Sequence, residues 1–159
     1  SYNERCAEEY GQVLLDQEIL TVPATPHGKF EACDLLDIEG KRLIYLKKSS
    51  PQSSMLSHFF KQGSNSAQIL KIYPEARRAL TEKVRKLTND QTADASDTAM
   101  GDSMTGWKIE FHIVDAPRND GLFWTPFFSR ITLRDESRML KVMAYGVSLR
   151  FIPTPVGTT

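Results

Sequence analysis

Two charged residues sit inside otherwise apolar runs, and these are where chemistry could reside: Asp34 in KFEACDLLDI (29–38) and Lys47 in RLIYLKK (42–48). Both runs read as strands of a hairpin around Glu39-Gly40. A two-residue turn there sets Leu36 opposite Leu43 and Asp34 opposite Tyr45, so Asp34, Tyr45 and Lys47 project from one face. Asp34 and Lys47 become diagonal neighbours, ~7–8 Å apart at the backbone and within reach at their tips. A carboxylate and an ammonium in such surroundings need partners, because an unpaired buried charge is very costly. One reading is a plain buried ion pair. The other is a metal-binding carboxylate beside a lysine that positions or polarises water.

Other polar groups could complete such a site. Glu31 and Asp37 point to the opposite face in this register, although a single bulge would move one of them. Glu9, on a helix expected over residues 3–17, could reach over. In SMLSHFFKQG (54–63), His58 and Gln62 share a helix face opposite Phe59 and Phe60. Gln62 could contact a base or phosphate and His58 could donate to a phosphate oxygen; the plain alternative is a histidine bonded locally. Ser57 and His58 do not make a hydrolase pair, since adjacent helical residues do not face one another. Arg130, Arg134, Arg138 and Lys141 recur at helical spacing and form one basic stripe, which suits a phosphate backbone or a solvated face paired with Asp135 and Glu136. A second basic group, Arg77, Arg78, Lys83, Arg85 and Lys86, decorates another helical stretch. The aromatic residues Phe123, Trp124, Phe127 and Phe128 suit a core or a protein interface, self-association included, better than a base-stacking platform.

The elements that would position these residues follow from periodicity. Residues 3–17 read as a helix, with Gly11 weakening it, and 19–22 as a short strand ended by Pro23, Pro26 and Gly28. A helix from Met55 to Gln62 is capped or kinked by Gly63 and followed by a shorter helical piece. Pro74 opens a helix over 74–87. Residues 88–106, rich in Thr, Asp, Ala, Ser and Gly, read as a flexible acidic loop. WKIEFHIVD (107–115) alternates as a strand. A capping-box-like pattern opens a helix at Thr132, with Gly146 as its stop, and VSLRFI (147–152) is the last strand. The whole reads as a single α/β domain over 1–159. Its mixed central sheet is flanked by helices: the hairpin gives antiparallel pairs and the long helical crossover before Trp107 permits a parallel one.

Composition excludes several classes. The 159 residues carry 40% hydrophobic and 25% charged side chains, which is ordinary for a globular chain and excludes wholesale disorder. Twenty basic residues balance twenty acidic ones, which argues against a histone-like coating protein but leaves room for a local basic groove. Two cysteines are too few for a disulfide framework or a zinc module, so a reducing, cytoplasmic setting is expected. No apolar run approaches the ~18 residues of a membrane span. The start at Ser-Tyr-Asn, without methionine, points to a processed product or a fragment of a longer chain.

The Asp34–Lys47 hairpin resembles the core of PD-(D/E)XK nucleases, the restriction-endonuclease-like fold. That resemblance implies an α/β core, a Mg²⁺ ion on Asp34 with a nearby acid such as Glu31 or Glu9, and Lys47 orienting the nucleophile. The implied partner is nucleic acid, DNA ahead of RNA. The departure is Tyr45, which stands where the motif has its second acid; tyrosine is a poor ligand for a hard ion at neutral pH. A catalytically inactive binding or assembly module on the same fold is therefore the alternative. A second resemblance covers most of the chain. The segments YNE (2–4), EACDLLD (31–37), LIYLKK (43–48), SMLSHFFKQGSNSAQIL (54–70) and PFFSRITLR (126–134) are similar to the C-terminal half of a sporadically distributed bacterial family of unknown function. It implies a genome-defence or mobile-element context and supplies no activity.

Overall fold

The computed structural model describes residues 4, 5, 7, 8, 11–26, 28–116 and 123–154. Residues 4, 5, 7 and 8 are helical, and the chain then builds β1 (Val13–Leu14), β2 (Ile19–Thr21), β3 (Lys29–Glu31), β4 (Leu35–Asp37) and β5 (Arg42–Lys48). Three helices follow, α1 (Ser53–Ile72), α2 (Pro74–Leu87) and α3 (Asp90–Met100), then β6 (Lys108–Asp115), α4 (Phe127–Val142) and β7 (Gly146–Pro153). The main sheet has the order β1-β4-β5-β6-β7, and β2 and β3 form a second, two-stranded sheet. β1–β4 and β4–β5 are antiparallel, whereas β5–β6 and β6–β7 are parallel. The mixed α/β sheet flanked by helices is thus present, and the helical crossover before Trp107 does return a parallel strand.

β5 lies at the centre of the sheet, and Leu43 and Ile44, which face opposite sides, are both fully buried. One face of the sheet packs under α1. Leu56, Phe60, Ala67 and Leu70 recur at three- to four-residue spacing and meet the sheet through Phe111, Ile109 and Leu43. Gly63 is required at the closest approach of this helix: a Cβ there would stand 2.6 Å from the Phe111 ring and 3.2 Å from that of Tyr45. This glycine neither ends nor divides the helix, which runs unbroken over 20 residues and corrects the expectation of two pieces. Arg77, one of the second basic group, is buried and donates to the carbonyls of Leu70 (2.7 Å) and Lys71 (2.9 Å), closing the C-terminal end of α1.

Several boundaries differ from the sequence expectation, each for a local reason. The first helix does not reach residue 17. Gly11 and Gln17 both take positive φ, and Val13–Leu14 between them pair with β4. Residues 90–100, expected within a flexible loop, form α3. The Asn89 side chain accepts the Thr92 N–H (2.8 Å), and Ala93, Ser96 and Met100 bury a narrow face of small and flexible residues. The Trp107 indole N–H donates to the Ala99 carbonyl (2.9 Å) and joins this helix to the start of β6. α4 begins at Phe127, five residues before the expected capping box, and the positive φ after it falls on Ala144, with Gly146 opening β7.

Candidate functional site

Asp34 is held by the chain on both sides. Its carbonyl accepts the Leu15 N–H (2.8 Å) at the end of β1, and its N–H donates to the Ile44 carbonyl of β5 (3.0 Å). The hairpin register is as expected through Leu35↔Ile44, Leu36↔Leu43 and Asp37↔Arg42. Beyond Leu35 the regular ladder stops, because Asp34 uses the carbonyl of Leu35's own partner, and the expected Asp34–Tyr45 pair is not formed. Residues 29–38 are accordingly two strands rather than one. β3 pairs with β2 (Ile19↔Glu31, Leu20↔Phe30), and Ala32-Cys33-Asp34 carries the chain across to the main sheet. That change of sheet brings Glu31 to the side of Asp34 that a continuous strand would have denied it.

Asp34, Glu31, Lys47, His58 and Gln62 line one cavity of about 180 Å³. They come from four separate stretches: β3, the crossing segment, β5 and α1. Asp16, in the turn after β1, also lines it, and sequence reasoning missed this residue because a short polar turn carries no periodic signal. Tyr45 and Phe59 close the apolar side, and Cys33 is buried beneath. The Tyr45 ring packs against Phe111 and its hydroxyl donates to the Ala32 carbonyl (2.6 Å), so the residue at the place of the missing acid is a fixed piece of core. Asp37 is not part of the cavity. It accepts from the Gly40 N–H (2.9 Å) and the Arg42 Nε (2.7 Å), and Arg42 continues to Glu110.

Burial pushes the Asp34 carboxyl up to about 6. The Leu46 N–H, donating to Oδ2 at 2.5 Å, opposes the rise, the charges of Asp16 and Glu31 add to it, and Lys47 opposes it least. Asp34 and Lys47 line the same cavity but form no ion pair with each other. The plain buried ion pair is therefore not what this hairpin contains: an amine and a carboxylate share a cavity without meeting. Burial also holds the Cys33 thiol well above its ordinary range, so it is a poor nucleophile.

The remaining residues fall elsewhere. Glu9 lies outside the described residues. Arg130, Arg134 and Arg138 are exposed on α4, which packs against α1 through Ser129–Ser53 (3.0 Å) and Thr132–Ser57 (3.2 Å). The cavity is lined by other positions of α1, so the basic stripe does not border it. Arg134 also pairs with Asp135 (3.1 Å). Phe127 and Phe128 are 61% and 69% exposed, and Trp124 is 46% exposed, so these three are not core. Phe123 stacks on Phe151 at 4.8 Å.

Among the described residues no three His, Cys, Asp or Glu side chains stand close enough together to hold one ion. A magnesium ion that keeps several waters needs only one or two carboxylates, and Asp34 and Glu31 are two carboxylates that line one cavity. Among the described residues no helix is long and apolar enough to cross a membrane.

The chain matches DUF6119, a family of unknown function, over residues 1–153, and therefore belongs to it. No curated protein and no solved structure matches it.

Proposed function

We propose that the Asp34–Lys47 cavity binds a phosphodiester of nucleic acid and hydrolyses it with Mg²⁺. The observation that carries this reading is the meeting of Asp34, Glu31, Lys47, His58 and Gln62 in one cavity, with Asp34 and Lys47 forming no ion pair with each other. The element order also supports it. A helical start precedes the β4–β5 hairpin, and helices and a strand (β6) follow it, in keeping with the helix, hairpin, helix and strand of the PD-(D/E)XK core that the hairpin resembles.

The roles follow from charge and position. Asp34, ionised above about pH 6, and Glu31 would hold the ion. Bound there, Mg²⁺ supplies a polarised phosphoryl oxygen and a more acidic water. The Lys47 ammonium offsets negative charge that grows on the phosphorus oxygens during in-line attack. His58, exposed at the rim, donates to a phosphate oxygen, and Gln62 contacts the substrate beside it. Arg130, Arg134 and Arg138 would track phosphates only outside the cavity. The same reading carries the genome-defence or mobile-element setting that the family resemblance implies.

A binding module without catalysis is the second reading, favoured by the core placement of Tyr45 and the lack of a three-ligand group among the described residues. Mg²⁺-dependent nicking of plasmid and single-stranded DNA separates the two. Asp34→Ala and Lys47→Ala should each abolish nicking while Tm stays within a few degrees. No nicking by the native chain, or variants that simply unfold, defeats the hydrolase reading.

A further inference from the structure

A second depression opens directly from the cavity. It is a groove of about 450 Å³ between the β2–β3 hairpin and α1, and it shares Glu31, His58 and Gln62 with the cavity. Ile19 and Phe30 make its hairpin wall, and Ile69 continues the apolar lining on the helix. Gln62 and Asn65, one helical turn apart on α1, line the groove, and their side-chain amides have no hydrogen-bond partner among the described residues. Lys29 and Lys61 bring one cation from each wall. The Ser66 hydroxyl donates to the Glu31 carbonyl (2.6 Å), which fixes the helix to the hairpin at this point.

We infer that this groove takes an unstacked base of a single-stranded nucleic acid whose phosphate lies in the cavity. A nucleobase presents two apolar faces and one edge of donors and acceptors. The groove offers an aromatic ring and two branched aliphatic side chains to the faces and two idle amides to the edge. The lysines match the charge of the flanking phosphates. A stacked, paired base cannot enter, so the groove selects single strands. The inference rests on reading the adjoining cavity as a phosphodiester site and adds the substrate class.

The test is binding by the full chain in EDTA, where hydrolysis is silent. The probes are a short single-stranded oligodeoxynucleotide, its ribonucleotide counterpart, the deoxy strand with abasic sites, and the duplex. A base-bearing single strand should bind about tenfold more tightly than the abasic strand or the duplex, and the deoxy and ribo arms identify which polymer is preferred. Asn65→Leu and Ile19→Asn, both at exposed positions, should each weaken that binding about fivefold, leaving Tm and the affinity for the abasic strand unchanged. Equal affinity for abasic and base-bearing strands, binding of none of the probes, or indifference to both substitutions overturns the inference. Base-dependent binding by a chain that cleaves nothing upholds the groove and removes only the hydrolase reading. Mg²⁺-dependent cleavage that ignores bases does the reverse.

Discussion

Asp34 is a carboxylate in surroundings that oppose its charge, and the cost has a sign. Its folded-state value of about 6 lies above the ordinary 3.8, so the folded chain binds this proton more tightly than the unfolded one. Stability is therefore highest below the ordinary value and falls as pH rises through about 6. Asp34→Asn keeps an acceptor for the Leu46 N–H and removes the charge. Urea unfolding should find it about 1–2 kcal/mol more stable than the native chain at pH 7, after allowance for solvent screening, with the gain shrinking as pH is lowered toward the ordinary range. A residue that only stabilised the fold would give the opposite result. Glu110 supplies the contrast. The His112 hydrogen bond, with the Arg42 guanidinium behind it, holds its carboxyl down at about 2. Glu110→Gln should lose about 2 kcal/mol at pH 7, and the loss should fade as pH falls from 4.5 toward 2. Asp34 and Lys47 were legible in the sequence because charge inside an apolar run stands out. Asp16 was not, since one more acid in a polar turn has nothing to stand out against.

At the scale of elements, the strands around Lys47 and the register of the hairpin were legible, because alternation is a local signal and the β4–β5 pairing follows from one turn. The break at residues 32–34 was not. It depends on β3 finding β2 rather than β5, and nothing within KFEACDLLDI marks where one sheet ends and the next begins. α3 was hidden for another reason. Its buried face is Ala93, Ser96 and Met100, which hydrophobicity hardly registers, and its many aspartates look like a loop. Asn89→Ala should cost about 1 kcal/mol through loss of the cap, and amides 94–100 should show slow hydrogen exchange. Gly63→Ala tests the seat of α1 on the sheet. A methyl group at that point presses the Phe111 ring, and a loss of about 1–3 kcal/mol is expected in thermal unfolding.

Across the whole molecule, the sheet delivers Asp34 and Lys47 to the same end of adjacent strands, and α1 lays His58 and Gln62 across that end. The second sheet contributes Glu31 and one wall of the groove. Polar groups thus gather on one side of α1, while its other side, through Ser53 and Ser57, is taken up by α4. The exposed aromatic and basic residues of α4 are a separate surface from the cavity, and substitutions at Arg134 or Arg138 should leave cleavage of short oligonucleotides within about twofold of native. The most direct test of the shared cavity is a ¹³C-carboxyl NMR titration of Asp34, with and without Mg²⁺. A midpoint near 6 that moves down when Mg²⁺ is added is the predicted result. A midpoint in the ordinary range near 3.8, unmoved by the ion, would contradict it.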